Sequence, residues 1–226
     1  MFSGSSPFSD YVDATFLTIV GISLLVFIGI LIAMVFFVIR YSRKKNPHPT
    51  NIAGHVPLEI TWTVVPLILF MGIFYLGWHG YLLEKAVPDN AFPVKVTAQM
   101  WRWTFEYPNG VTADTLYVPI NAPILCTLHS LDVNHSFYIP SFRVKKDVIP
   151  NRENTLWFKT VRKASYDVAC AEYCGLNHSY MYTKVVSMDS AGFDYWYKEA
   201  SLAQSKPYKA PFAAAQSTQI DSSKTE

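Results

Sequence analysis

The sequence predicts a two-helix transmembrane hairpin followed by an all-β domain of the sandwich or Greek-key barrel kind. Three observations carry this. Two apolar runs, Ala14 to Ile39 and Ile60 to Leu83, contain no charged residue. Four cations lie between them. Beyond the second run the composition turns to short β-branched and aromatic stretches separated by Pro, Asn and Asp.

The first run would rise about 39 Å as a helix, enough to cross a hydrocarbon core of about 30 Å with some tilt. So long an uncharged stretch fits the core helix of a soluble protein poorly, and a span over about 14–40 is expected. Arg40, Arg43, Lys44 and Lys45 follow, then a turn-rich connection from Asn46 to Asn51. The second span, about 60–83, carries Pro66, which should kink it. His79 stands beside Trp78 and fits the aromatic belt at a membrane surface better than a metal site.

The basic loop between the spans belongs on the cytoplasmic side. The N-terminal segment, with Asp10 and Asp13 but no cation, and everything after about Glu84 then lie outside. The expected location is a bacterial inner (cytoplasmic) membrane, with the N-terminus and the external domain on its periplasmic side. No Lys or Arg occurs in the first eight residues, and no small-residue cleavage site follows a short apolar core. The first helix is therefore expected to do the targeting, without a removable signal or an Arg-rich transit peptide.

The expected division is a hairpin over 1–86, a β domain over 87–200 and a flexible tail over 201–226. In the β domain, Val94 to Tyr107 reads as one strand ended by the turn Pro108-Asn109-Gly110. Further strands are expected near 115–119, 123–131, 135–140, 155–161, 166–169 and 181–188. About 100 residues suit a β-sandwich. The tail is rich in Ala, Ser, Gln and Lys without apolar periodicity, which predicts poor order. It holds no Cys-x-x-Cys-His, so no c-type haem domain is expected there. A formal charge of +2 gives no ground for a nucleic-acid partner, and with three Cys one thiol is always left over.

Chemistry concentrates in Cys170-Ala-Glu-Tyr-Cys174-Gly-Leu-Asn-His178-Ser-Tyr-Met181. Thiolate and thioether are soft donors and imidazole suits copper as well as zinc, so the stretch reads as a soft-metal loop. One Cys suffices for a mononuclear blue-copper site; a second on the same loop suggests two thiolates bridging two coppers. A further imidazole must come from elsewhere. His135, at the start of an expected strand after Asp132-Val-Asn134, is favoured over His129, which lies inside one. Met188 reads as core. A Cys170–Cys174 disulfide and a structural Cys2His2 zinc site remain open on spacing, although Met181 has little use in either. Two sequons, Asn134-His-Ser and Asn177-His-Ser, abut proposed ligands, where a glycan would block the site; both read as chance matches.

Taken together, these residues resemble subunit II of the haem–copper cytochrome c oxidases, over roughly residues 15 to 190. That family's dinuclear CuA pattern, Cys-x-Glu-x-Cys-Gly-x-x-His-x-x-Met, is met at every fixed position. Its Asp-Val-x-His-Ser-Phe block appears as Asp132 to Phe137. The resemblance implies a cupredoxin-like Greek-key barrel with two coppers bridged by Cys170 and Cys174. His135 and His178 would bind one ion each, with Met181 and the backbone carbonyl of Glu172 as weak ligands. It also implies a magnesium or manganese ion on the Glu172 carboxylate at the boundary with subunit I.

Trp101 falls on the family's surface tryptophan that receives the electron from cytochrome c, although Met100 and Arg102 replace a Gln and a Tyr common there. Glu59, in Glu59-Ile-Thr-Trp-Thr-Val-Val-Pro66, matches a Glu near a cytoplasmic proton inlet. Implied partners are subunit I, which would hold the haem that receives the electron and carry out oxygen reduction, subunit III, cytochrome c and the lipid bilayer. The overall activity would be oxygen reduction coupled to proton translocation.

From Val87 onward the chain has 14 Lys or Arg and 13 Asp or Glu. A nearly neutral domain predicts a weakly charged encounter with its donor and a modest salt dependence. Three other readings are weaker. The copper domain of nitrous oxide reductase lacks this hairpin, and a quinol oxidase subunit lacks the copper ligands. A membrane-anchored copper carrier needs neither Trp101 nor Glu59.

Overall fold

In a computed structural model, residues 5–48, 50, 51 and 53–205 are described. Helix α1 spans Pro7–Arg40 and α2 spans Val56–Lys85. Both are long and apolar enough to cross a membrane. Each starts earlier than the apolar runs suggest, because polar caps extend it. Ser6 and Ser9 form a reciprocal capping box on α1, with Pro7 in its first turn. At α2, His55 Nδ1 accepts from the Leu58 N–H at 3.1 Å, and Glu59 Oε1 accepts from the His55 N–H at 3.3 Å. Near the far end of the hairpin, the Tyr11 hydroxyl donates to the Leu76 carbonyl. A Cβ on Gly80 would stand 2.8 Å from Tyr11 Cε1, so the Tyr11 ring sits this close to α2 against the bare backbone of Gly80. His79 lies against the same Tyr11 ring, at 5.5 Å.

The β domain comprises two five-stranded sheets. One runs in the order β3 (Thr112–Ala113), β2 (Arg102–Glu106), β1 (Phe92–Gln99), β5 (Pro123–Ser130), β8 (Asn154–Lys159). The other runs β4 (Leu116–Pro119), β10 (Tyr182–Met188), β9 (Ala164–Cys170), β6 (His135–Ile139), β7 (Val144–Val148). The parallel pairs β1–β5 and β4–β10 mark crossovers, and the remaining pairs are antiparallel. Period-two burial puts Val94, Val96 and Ala98 of β1 and Ile124, Cys126 and Leu128 of β5 into one core with Phe105, Phe137, Ile139, Phe158 and Val185. The Cys126 thiol belongs to this core, and burial pushes its pKa far up.

Three expectations need correction. The stretch read as one strand from Val94 to Tyr107 is a hairpin, β1 and β2, turning at Met100–Trp101. No Gly, Asn or Pro marks that turn; contacts from elsewhere hold it. Strand β7 has only the short pattern Val144-Lys-Lys-Asp-Val148 and was not foreseen. The domain is also not β throughout, nor does irregular tail begin at Ser201, because α3 spans Ser190–Ser205. Its Phe193, Trp196, Tyr197 and Ala200 recur at helical spacing and pack on the core. Trp196 lies 5.1 Å from the Tyr107 ring and 4.5 Å from the Tyr117 ring. The rest of the expected tail, 206–226, lies outside the described residues.

Helix ends and β domain are joined directly. Arg143 Nε donates to Asp13 Oδ1 at 2.8 Å, and Trp157 Nε1 donates to the Glu84 carbonyl at 2.9 Å. Phe8 packs edge-on against Trp157 at 4.8 Å. The N-terminal turn of α1 is thus buried beneath the domain, with Ser6 and Ser9 nearly inaccessible.

Candidate metal centre

His135 is the first residue of β6 and Cys170 the last of β9. The loop from Cys170 to Met181 is closed at its base by β9–β10 pairing, Ala169 opposite Tyr182, and by the Cys170 N–H donating to the Met181 carbonyl at 3.1 Å. The Ala171 N–H donates to the Ser136 carbonyl at 3.0 Å, which ties the loop to the strand carrying His135. Gly175, at φ +109°, turns the chain back, and a single 3-10 turn over His178–Tyr180 delivers Met181 to the core.

These elements bring five side chains together. Cys170 Sγ and Cys174 Sγ are free thiols 3.8 Å apart. His135 Nδ1 stands 3.7 Å from Cys170 Sγ, and His178 Nδ1 stands 3.5 Å from Cys174 Sγ. Met181 Sδ lies 3.7 Å from Cys174 Sγ, and the Glu172 carbonyl lies 3.3 Å from Cys170 Sγ. The donors of His135, Cys170 and Cys174 all fall within 4.8 Å of one another. His135 and Met181 are fully buried, Cys170 and Cys174 nearly so. Each thiol thus has its own imidazole and its own weak ligand: His135 and the Glu172 carbonyl beside Cys170, His178 and Met181 beside Cys174.

Electrostatics act oppositely on the two thiols. Burial alone would raise the Cys170 pKa, but hydrogen bonds with His135 and with the backbone of Ser136 and Glu172 outweigh it and bring it down. Cys174 is pushed up, by burial and then by the charge on Cys170, so the pair keeps one proton near neutrality. Burial opposes protonation of His135, yet Cys170 and Asp132 beside it raise its pKa. Burial would raise Asp132 too, but the Met100 N–H, the His135 ring and the Val133 N–H hold it below the usual carboxylate value.

Other expected residues fall as follows. Trp101 sits at the β1–β2 turn, half-buried, and its Nε1–H donates to the Cys174 carbonyl at 3.2 Å. Glu172 is half-buried in the loop. Glu59 is in the first turn of α2, at the opposite end of that helix from Glu84, and takes part in no contact with the loop. His129 pairs with Thr97 across β1–β5, and Met188 ends β10 beside Gly192. Asp132, named above only as the head of the Asp-Val-x-His-Ser-Phe block, bonds to His135. An acid three residues before a ligand His was the available signal. Tyr173, whose ring lies 5.8 Å from that of His178, went unremarked because nothing in its spacing distinguishes it.

Comparison with known proteins places the chain in a family. The family model for the transmembrane domain of cytochrome c oxidase subunit II matches residues 1–76, and that for its periplasmic domain matches residues 111–188. The chain is 31% identical over 201 residues to cytochrome c oxidase subunit 2 of Alkalihalophilus pseudofirmus, covering 84% of this chain but 59% of that protein, under two thirds of its length. It is 26% identical over 225 residues to cytochrome c oxidase subunit 2 of Cereibacter sphaeroides, covering 82% and 74%. Among solved structures it resembles the periplasmic domain of subunit II of cytochrome oxidase of Bradyrhizobium japonicum, with 29% identity, 52% of this chain and 98% of that one covered, and a TM-score of 0.49. With two membrane spans and a cupredoxin-like domain, the chain belongs to the cytochrome c oxidase subunit II family.

Proposed function

We infer that this chain holds a dinuclear copper centre and serves as the electron-accepting subunit of a respiratory cytochrome c oxidase. The observation that carries this is the donor set: two thiols 3.8 Å apart, each with its own imidazole and its own weak ligand. Two thiolates and two imidazoles would also satisfy one tetrahedral zinc. That zinc would leave Met181 Sδ and the Glu172 carbonyl without a role, whereas two ions sharing the thiols would take one imidazole and one weak ligand each.

Bound there, two coppers sharing two thiolates would spread one electron over both metals, so that little moves on reduction. The chain's own part is to hold still and to exclude water. His135 and Met181 are locked in the core, and both ends of the loop are pinned by sheet pairing. Trp101 is half-exposed and bonded through its indole N–H to the Cys174 carbonyl, which supports its role as the electron port from a c-type cytochrome. Electrons would leave toward the haem of subunit I, where oxygen is reduced and protons are translocated.

The half-buried Glu172 carboxylate would hold magnesium or manganese at that boundary. Glu59, at the cytoplasmic end of α2, would stand at a proton inlet. Subunit III completes the expected assembly in the bacterial inner membrane, with this domain in the periplasm. The near-equal count of 14 cations and 13 anions from Val87 onward favours a donor bound with modest salt dependence.

The deciding experiment is the visible and paramagnetic spectrum of the copper-loaded full chain in detergent. A purple, mixed-valence two-copper signal is expected. A blue mononuclear signal, or a colourless zinc form that copper does not displace, overturns the reading.

A further inference from the structure

One carboxylate bonds to both the turn that carries the electron port and a proposed copper ligand. Asp132 lies in the turn between β5 and β6, its side chain 20% exposed. Oδ2 accepts from the Met100 N–H at 2.7 Å, and Oδ1 accepts from the Val133 N–H at 2.7 Å. Oδ1 also lies 2.8 Å from His135 Nε2, on the side of the ring away from the thiols. With Nε2 protonated toward Asp132, the Nδ1 lone pair faces Cys170 Sγ, 3.7 Å away. A metal-bound imidazole needs such a partner to fix its tautomer and to strengthen it as a ligand.

The same carboxylate fastens the β1–β2 turn. Met100 and Trp101 form that turn without a Gly or Pro to shape it, and the Leu131 N–H donates to the Ala98 carbonyl at 3.1 Å just beside it. Trp101 then bonds to Cys174, so contacts run in a closed ring: Asp132, His135, Cys170, Cys174, Trp101, Met100 and back to Asp132.

We propose that Asp132 is a positioning residue that ties Trp101 to the His135 ligand and holds the reduction potential of the centre down. This rests on the copper reading above. A charge-assisted bond is roughly twice as strong as a neutral one. An anion behind His135 favours the more positive, oxidised site, so neutralising it favours the reduced one.

The test uses the copper-loaded full chain in detergent and three variants. Asp132→Asn keeps the shape and removes the charge; Asp132→Ala removes both bonds. Asp167→Asn, on β9 and paired with Lys184 at 3.7 Å, is a control for a charge lost elsewhere on the domain. Midpoint potential and amide exchange at Met100 are measured. Asp132→Asn is expected to shift the reduced-to-oxidised ratio at fixed potential by up to about tenfold, about 59 mV for one electron. Asp132→Ala should shift it at least as far and also speed Met100 exchange. Asp167→Asn should do neither.

Potentials of the Asp132 variants equal to the parent's, or an equal shift in Asp167→Asn, overturn the proposal. If Asp132→Ala does not fold, the isosteric Asn variant decides alone. A parent chain without the two-copper signal overturns the metal reading, and this proposal with it. A parent with that signal and no shift overturns this proposal only.

Discussion

Gly175→Ala separates backbone geometry from crowding in the metal loop. Gly175 has φ +109°, a conformation that side chains rarely adopt. An added Cβ would stand 3.5 Å from Trp101 Cζ2 and 3.6 Å from both Met100 Sδ and Trp101 Nε1, which is ordinary contact. The cost therefore lies in the backbone, about 1–3 kcal/mol for a residue held in such a region. Relief requires rotating the peptides on either side of residue 175. That moves the Cys174 carbonyl away from Trp101 Nε1, now 3.2 Å apart, and disturbs the His178 N–H bond to the Gly175 carbonyl, now 3.1 Å. If the whole cost falls on the metal-bound loop, copper affinity drops about 5- to 150-fold, since about 1.4 kcal/mol is a factor of ten. A competition titration of copper(I) against a chelator of known affinity, on the full chain in detergent, measures this, with indole fluorescence followed in parallel. An affinity within about twofold of the parent's, with unchanged fluorescence, would refute the reasoning, because the strain would then not be stored where the donors are.

Among the ligands, Cys170→Ser should abolish the two-copper signal, whereas Met181→Leu should retain copper and shift the potential; equal copper loss in both would show that the ligands are ranked wrongly. Copper uptake by the metal-free chain should strengthen as pH rises from about 6 to 8, because metals bind thiolates and displace their protons. The sign follows from Cys174: its pKa is raised in the folded chain, so it enters protonated, and acid opposes loss of that proton. Uptake independent of pH over that range would sink this account. In the hairpin, Gly80→Ala puts a Cβ 2.8 Å from Tyr11 Cε1 and should loosen the helix pair by about 1–3 kcal/mol, the usual cost of overpacking. Thermal inactivation of the detergent-solubilised chain reads it, and an unaltered midpoint would mean that Tyr11 moves aside freely.

Periodicity and spacing made much of this protein legible in one dimension. Uncharged runs announce the spans because no backbone polar group in hydrocarbon can go unpaired, and only long helices satisfy that locally. Six strands could be located because alternation between core and solvent is a period-two signal. The run from Val94 to Tyr107 was misread because its alternation passes through Met100 and Trp101 almost unbroken. Where it turns, the Met100 N–H bonds to the Asp132 carboxylate, a contact from 32 residues away. Helix α3 was missed for another reason. Its apolar stripe of Phe193, Trp196, Tyr197 and Ala200 was present, but the polar composition around it masked the spacing.

By itself the sequence determined the two spans, the β character of the domain and the clustering of soft side chains between Cys170 and Met181. Those depend on residue type and short-range order, which the chain carries wherever it folds. Only the tertiary structure decided that His135 meets Cys170, that Trp101 reaches the Cys174 carbonyl, and that Asp132 reaches the Met100 N–H. Each of these joins residues about 30 to 75 positions apart, where no local propensity acts and sheet pairing across the sandwich alone sets the distance.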